Sequence, residues 1–217
     1  TFLIPKFQTV YDQLGEELPY YTRLFVSMSV WFQNNFFTVM FLIILSLLTI
    51  WIFTLTDFGR LIRDRIFLRI PIFGSIIRQN ILSKFSKTFG ILVSAGVSVM
   101  ESMDLVIKVV SNRVFELAIK DATKNIENGV SISESLKDTR VFPPIMIQLF
   151  STGEETGEID SLSLKASDFY TKQVNASVDR LTSLIEPLLI ILVGIVIGGV
   201  IIVTYLPIFQ VGAAIAN

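Results

Sequence analysis

The sequence predicts an all-α membrane protein in which a cytoplasmic helical bundle lies between two transmembrane helices. Three observations lead to this class. A wholly apolar stretch of helical pattern ends the chain, and no charged residue follows Glu186. A second uncharged stretch lies between Arg23 and Asp57. Between these stretches, apolar residues recur at helical spacing, and no run alternates with the period of a β-strand.

The composition narrows the classes of function. Of the 217 residues, 17% are charged, whereas a soluble domain carries about 25%. There is no Cys and no His, so no thiolate or imidazole is available as a nucleophile or metal ligand. The chain lacks a phosphate-binding loop of the G-x-x-x-x-G-K-[ST] type, and its formal net charge of −1 gives no basic field for nucleic acid. We therefore expect no enzyme, no cofactor and no nucleic-acid partner.

The N-terminal part is predicted to lie outside the cytoplasm. Residues 7–35 carry two apolar stripes separated by Pro19, which predicts an amphipathic loop resting on the bilayer. Residues 3–8 resemble residues 205–210, with Pro, Phe and Gln in register. Since the second copy lies at the outer end of a predicted transmembrane helix, we interpret residues 1–6 as the outer end of an upstream one. This interpretation implies a longer protein with a duplicated unit of bundle and helix.

Residues 36–56 are predicted to be a transmembrane helix. Phe36–Leu55 consists largely of Leu, Ile, Phe and Val, and about 20 such residues cross a hydrocarbon core about 30 Å thick. The two tryptophans, Trp31 and Trp51, bracket this span as an aromatic belt would. All but two of the 18 Lys and Arg residues lie in residues 57–186. The positive-inside rule therefore places that segment in the cytoplasm.

Residues 57–186 predict a bundle of five to six short antiparallel helices and the start of a long one. Gly96 and Gly129 are typical of helix C-termini. Two helices begin with a Ser three residues ahead of a Glu, a capping box that satisfies amides of the first turn. The predicted helices are Asp57–Ile70, Ser75–Ala95, Ser98 to about Val110, Arg113–Asn128, a short helix from Ser131, and Pro144–Thr152.

The last helix is predicted to run from Asp160 to Leu206. Residues 187–208 would form the second transmembrane helix, and residues 209–217 an extracytoplasmic tail. Two interpretations remain open at the membrane surface. The helix either continues as one rod of about 70 Å, or it breaks at Glu186, because Pro187 has no amide to donate to the carbonyl four residues earlier.

The second span carries three small residues, Gly194, Gly198 and Gly199. Small residues four apart allow two helix backbones to approach each other in lipid. We predict that these glycines pack against a helix of the same chain or of another subunit. The alternative is the ordinary frequency of glycine in membrane helices.

One acidic cluster stands out in the cytoplasmic segment, in a predicted turn from Gly153 to Glu158. It contains Glu154, Glu155 and Glu158, with Asp160 close behind. Three interpretations are open. The carboxylates could favour the positive end of a helix dipole, meet a basic partner surface, or bind a divalent cation through oxygen atoms, although the spacing matches no calcium loop.

Three stretches carry a combination of residues that is specific when they are taken together. They are Phe89-Gly90-Ile91-Leu92-Val93-Ser94-Ala95-Gly96-Val97, Gly153-Glu154-Glu155-Thr156-Gly157-Glu158-Ile159-Asp160, and the series Phe169-Tyr170, Val174, Val178-Asp179, Glu186-Pro187-Leu188, Gly194 to Gly199 and Tyr205-Leu206-Pro207-Ile208-Phe209. Together they resemble the inner-membrane platform proteins of type II secretion and type IV pilus machines, the F/PilC family. The resemblance covers nearly the whole chain.

This resemblance implies two related cytoplasmic six-helix domains and three transmembrane helices, of which the chain would hold the second domain and the later helices. It also implies a non-enzymatic role in the inner membrane, beneath a growing filament. The expected partners are a cytoplasmic hexameric assembly or secretion ATPase, pilins or pseudopilins, other inner-membrane assembly subunits, membrane lipid and further copies of the chain.

Within this family, we expect the charged ends of the bundle to border partner surfaces. The acidic residues are Glu154, Glu155 and Glu158, and the basic face contains Arg60 and Arg63. The alternative function, of a different class, is a two-span membrane receptor or regulator whose cytoplasmic bundle binds a ligand. That alternative predicts a pocket in the bundle.

Overall fold

Nine helices make up residues 20–215, the part of the chain that the structure, a computed structural model, describes, and no strand occurs among them. The all-α prediction is confirmed. The interpretations of residues 1–6 and of the first amphipathic stripe lie outside the described residues. The helices are α1 (Tyr20–Asn34), α2 (Phe36–Leu55), α3 (Asp57–Arg69), α4 (Phe73–Ser94), α5 (Val99–Val109), α6 (Arg113–Glu127), α7 (Ile132–Asp138), α8 (Pro144–Thr156) and α9 (Ile159–Ile215).

Two helices of the described residues are long and apolar enough to cross a membrane: α2 and the apolar part of α9. None of the residues of α2 is buried, and Phe37 is 85% exposed. In α9, every Leu, Ile and Val side chain from Leu188 to Ile202 is exposed. A helix that is apolar on all its faces is stable only where lipid or protein replaces water around it. The chain is therefore an all-α membrane protein.

The continuous form of the last helix is confirmed. α9 runs from Ile159 to Ile215 without interruption, so the break considered at Glu186 is not observed and the helix continues beyond the predicted Leu206. Pro187 lies inside this helix, where its ring leaves the carbonyl of the residue four positions earlier without its usual donor.

Residues Ile52–Ser183 form a compact unit of their own, the bundle. Its centre is a cluster of phenylalanine rings. Phe85 of α4 lies 6.1 Å from Phe89, 5.2 Å from Phe142 and 5.9 Å from Phe150, as ring centroids. Phe115 of α6 meets Phe142 edge-to-face at 5.8 Å. The aliphatic side chains packed around these rings include Leu82, Met103, Val106, Ile119, Leu136 and Met146.

The helix ends of the bundle follow the sequence signals closely. Gly96 and Gly129 both have positive φ, 81° and 85°, directly after α4 and α6. The hydroxyl of Ser98 accepts a hydrogen bond from the amide of Glu101, and the hydroxyl of Ser131 accepts one from the amide of Glu134, each at 3.3 Å. The hydroxyl half of each predicted capping box is therefore present.

The helix predicted as Pro144–Thr152 is longer than expected. α8 continues to Thr156 and ends where Gly157 adopts a φ of 74°. Glutamate is a good helix former, so the chain stays helical until this glycine supplies a left-handed cap. Glu154 and Glu155 therefore lie in the last turn of a helix, and their assignment to a turn is wrong.

α4 and α9 meet along a seam of short polar side chains within the bundle. The hydroxyl of Ser83 lies 2.7 Å from that of Thr171 and 3.4 Å from that of Ser167. One turn away, Gln79 bonds Gln173 and accepts from Ser177, each at 3.2 Å. Hydroxyl groups of this size let two helices approach closely while their polar atoms remain satisfied.

Candidate functional site

Glu154 holds two helices of the bundle together. Its carboxylate accepts hydrogen bonds from the backbone amides of Ile132 and Ser133, the latter at 2.9 Å, which are the first two residues of α7. Amides at a helix N-terminus lack acceptors inside the helix and favour a negative charge. The helix-dipole interpretation therefore applies to Glu154 in an unexpected way, because the stabilised N-terminus belongs to another helix.

Glu155 and Glu158 differ from Glu154, since both are exposed and neither forms an ion pair within residues 20–215. The carboxylate of Glu155 accepts from the hydroxyl of Ser151 at 3.0 Å and lines an open cleft of about 520 Å³ between α7 and α8. The backbone carbonyl of Glu158 accepts from the amide of Leu162 at 3.0 Å, at the start of α9. These two carboxylates are available to a partner.

The cation interpretation gains no geometric support. Among residues 20–215, no group of three carboxylates lies close enough together to hold a metal ion. Glu154 is committed to the amides of α7.

The arginines on the basic face of α3 also differ in whether they contact other residues of the bundle. Arg63 donates from Nε to Oδ1 of the buried Asp64 at 2.9 Å. The other carboxylate oxygen of Asp64 accepts from the backbone amide of Arg113 at 2.7 Å, which is the first residue of α6. Arg60 is exposed, as is Arg65. Of the two predicted basic site residues, Arg60 faces solvent and Arg63 supports an internal contact.

A second group of charges, not singled out from the sequence, joins α3 to α6. Arg113 forms ion pairs with Glu116 and, at 3.5 Å, with Asp57, while Lys120 bonds Glu116 at 3.1 Å. Burial opposes ionisation of Glu116, but the hydrogen bonds from Arg113 and Lys120 outweigh it and hold the pKa of this carboxyl below its ordinary value. The hydrogen bond to Glu116 raises the pKa of Arg113.

The sequence contains one signal for the hydrogen bond between Asp64 and the backbone amide of Arg113. Asp64 is the lone acid within the basic run of α3, and such an isolated charge of opposite sign is a candidate for an internal partner. Asp64 accepts its hydrogen bond from an amide 49 positions away, and the spacing of residues in the sequence could not predict that partner.

The three glycines of the second apolar helix have open space beside them. A Cβ placed on Gly194, Gly198 or Gly199 meets no atom of the chain within 4 Å, outside the helix itself. The neighbouring side chains are large and exposed, for example Ile190 at 67% and Ile195 at 70%. Within the described residues, the predicted close approach of another helix is thus not made by this chain itself.

Comparison with known families accounts for most of these elements together. The family model described as "Type II secretion system (T2SS), protein F" matches residues 85–207. The matched region runs from within α4 into α9, and includes the acidic residues and the three glycines.

Individual relatives match over nearly the whole chain. The chain is 35% identical to the type IV pilus assembly protein PilC of Myxococcus xanthus, over 97% of this chain and 51% of that protein. It is 32% identical to PilC of Pseudomonas aeruginosa, over 97% and 56%, and 30% identical to the type II secretion system protein F of Aeromonas hydrophila, over 88% and 49%. The chain thus spans about half the length of these curated relatives. Since the family model covers more than half of the chain, the chain belongs to the type II secretion system protein F family.

Proposed function

We propose that the chain is part of an inner-membrane platform of a type IV pilus or type II secretion machine. In this role it couples a cytoplasmic ATPase to the assembly of a pilin or pseudopilin filament and performs no reaction itself. The observation that carries the proposal is the similarity to pilus assembly and secretion proteins over nearly the whole chain. An unbroken helix from Ile159 to Ile215 suits such a role, because a helix transmits displacement along its length.

The proposed topology has residues 36–56 and 187–208 crossing the inner membrane, with residues 57–186 in the cytoplasm. Residues 7–35 and 209–217 then lie on the other side. The chain has no cysteine, so single cysteines report their own position without background. In intact cells, an impermeant maleimide should label Gln33→Cys and leave Asp121→Cys unlabelled until the cells are opened. Labelling of Asp121→Cys in intact cells would contradict this topology.

For the partner surface, we propose Glu155 and Glu158 as contacts of the ATPase or of a neighbouring platform subunit. They are exposed, and no described cation neutralises them, whereas Glu154 is engaged within the bundle. Arg60 is the corresponding candidate on the basic face. Asp64 neutralises Arg63, which we propose contributes to this face chiefly by positioning α3.

The test is charge reversal in the whole protein, in its own host. Glu155→Lys combined with Glu158→Lys should abolish filaments seen by electron microscopy and reduce co-purification of the ATPase, while the melting temperature stays unchanged. The matched control is Asp121→Lys with Glu127→Lys, since these exposed acids of α6 change the net charge equally. Normal filaments and normal ATPase recovery in the first variant would remove Glu155 and Glu158 from the proposal.

For the membrane part, we propose that Gly194, Gly198 and Gly199 pack against another transmembrane helix, either of a second copy or of the remainder of a longer protein. Gly194→Leu with Gly198→Leu should reduce oligomer size in mild detergent and reduce filament number. Ile190→Leu with Ile195→Leu is the control, because it changes exposed side chains on the same helix without filling a glycine position. Unchanged oligomers and filaments in the glycine variant would contradict helix packing at these residues.

The receptor alternative loses its independent basis once the family is known. A cleft of the kind that it predicts is nevertheless present in the bundle.

A further inference from the structure

An open cleft of about 490 Å³ lies within the bundle, where the turn between α3 and α4 meets α8 and α9. Its volume is in the range typical of small-molecule sites. Arg69 and Arg78 line it from the two sides of the turn, and Tyr170 and Gln173 line it from α9. It is separate from the cleft beside Glu155, with which it shares no lining residue.

The charged residues that line this cleft are all positive. Its lining contains two arginines and no Asp or Glu. Both guanidinium groups are exposed, and neither forms an ion pair with a carboxylate of residues 20–215. A guanidinium group recognises carboxylate and phosphate oxygens through paired hydrogen bonds. The cleft therefore favours an anion.

A helix terminus adds to this positive field. The 22-residue helix α4 begins at Phe73, and its first-turn residues Gly74 and Ser75 line the cleft. The N-terminus of a helix carries a partial positive charge that favours an anion. Here the amides of Phe73, Gly74 and Ile76 already donate to backbone carbonyls, so the amide of Ser75 is the first-turn donor without a backbone acceptor among the described residues. Gly74 fits closely, since a Cβ there would lie 2.3 Å from the carbonyl oxygen of Leu68.

Tyr170 forms part of the inner wall of the cleft. The residue is 4% exposed, and its hydroxyl has no hydrogen-bond partner among the described residues, as is also true of the buried hydroxyls of Ser86, Ser102 and Ser135. Because this oxygen is not accessible to solvent, Tyr170 contributes its aromatic ring to the wall and no donor to the cleft.

The backbone at the edge of the cleft is strained. Ile72 has φ 68° and ψ −60°, and the amide of Phe73 donates to the carbonyl of Pro71 at 2.8 Å, which together define a γ-turn. This turn is rare and strained, above all for a β-branched residue. Such strain is concentrated at functional sites, where surrounding structure holds it in place.

We propose that this cleft binds a phosphate ester. The phosphate group would lie between Arg69, Arg78 and the first turn of α4, with the amide of Ser75 as a further donor. The organic part would contact the apolar side of the cleft, which includes Pro143 and Phe169. Two sources share this chemistry, a soluble organic phosphate and a phospholipid headgroup. The inference is independent of the proposed platform role.

The experiment uses the whole protein in detergent, with Ile145→Cys carrying an environment-sensitive fluorophore. Ile145 lines the cleft and is 44% exposed, and this chain contains no cysteine that would compete for the label. The soluble arm titrates inorganic pyrophosphate and adenosine monophosphate at constant ionic strength. The lipid arm compares nanodiscs of phosphatidylglycerol with nanodiscs of phosphatidylcholine.

A saturable fluorescence change in either arm is expected, and the arm that responds identifies the source. Arg69→Gln and Arg78→Gln should each weaken binding by about tenfold or more, because each removes a charged donor. Arg65→Gln is the matched control, since Arg65 is an exposed arginine of the same helix outside the cleft. The melting temperature of each variant checks its fold.

Two results would overturn the proposal. One is the lack of a saturable response in both arms. The other is an equal loss of binding in Arg65→Gln and Arg69→Gln, which would reduce the effect to general attraction by the basic helix.

Discussion

Glycines inside helices have opposite surroundings in the bundle and in the apolar helix of the membrane unit. In the bundle, a Cβ on Gly59 would lie 1.9 Å from the carbonyl oxygen of Phe53, and one on Gly153 would lie 2.8 Å from the Cα of Ile159. At Gly194 and Gly198 the same atom would meet no other part of the described chain within 4 Å. The helices of the bundle thus approach each other closely at glycine, while the apolar helix presents small residues that no other described residue covers.

The two regions should therefore respond differently to substitution. Internal packing specifies the bundle, so substitutions there should change its stability. The apolar side chains of α9 are exposed, so substitutions there should change association and leave the stability of the bundle nearly unchanged.

Core truncation should give the largest contrast. Phe85 is fully buried and contacts three other rings, so Phe85→Ala should lower the free energy of unfolding by about 3–5 kcal/mol. Leu192, 53% exposed on α9, is the matched position, and Leu192→Ala should change stability little. Denaturant unfolding of the whole protein in detergent measures both. Equal losses of stability in the two variants would contradict the proposed difference between the bundle and the apolar helix.

Replacing one glycine of the bundle and one of the apolar helix by alanine gives a second test of the difference between these regions. Gly153→Ala should destabilise the bundle by about 1–3 kcal/mol, because the new methyl group meets backbone atoms of α9. Gly198→Ala should leave unfolding in detergent within about 1 kcal/mol, since alanine also favours the helix. A neutral Gly153→Ala would show that α8 and α9 can separate without cost.

Neighbouring carboxylates provide a third test. Glu154→Gln should lower the free energy of unfolding by about 1–2 kcal/mol, because the amides of Ile132 and Ser133 lose a charged acceptor. Glu155→Gln, one residue along, should be neutral, as its carboxylate is exposed. Thermal unfolding of both variants decides this point, and a reversed order would overturn the role given to Glu154.

The smallest effect concerns pH. The pKa of Glu116 is lowered from 4.5 because the bonds from Arg113 and Lys120 outweigh burial. Its stabilising contribution is therefore complete above pH 4.5 and is lost as the pH falls through the lowered pKa in the folded state. We expect the loss to be about 1 kcal/mol or less. Glu116→Gln should show a smaller fall in stability between about pH 6 and pH 3 than the unmodified chain; equal slopes would contradict it.

Much of the fold could be predicted from the sequence because its signals are local. The helix predicted over residues 36–56 is present as Phe36–Leu55, one residue shorter, and Gly96 and Gly129 follow helix ends as expected. Ser98 and Ser131 cap helices through atoms only three residues away.

The candidate site was less predictable because its contacts join distant parts of the chain. Glu154 bonds an amide 22 positions away, and Asp64 bonds one 49 positions away. No spacing rule separates Glu154 from Glu155, although one is engaged and the other is exposed. The unpaired hydroxyl of Tyr170 likewise depends on three-dimensional packing.

The hydroxyl seam between α4 and α9 offers a means of control. Because the oxygen atoms of Ser83 and Thr171 lie 2.7 Å apart, cysteines at both positions would bring two sulfur atoms within bonding reach. In a chain without other thiols, oxidation would form a disulfide between α4 and α9, and a reductant would break it. A single chemical bond could thus fix the packing of these two helices and release it again.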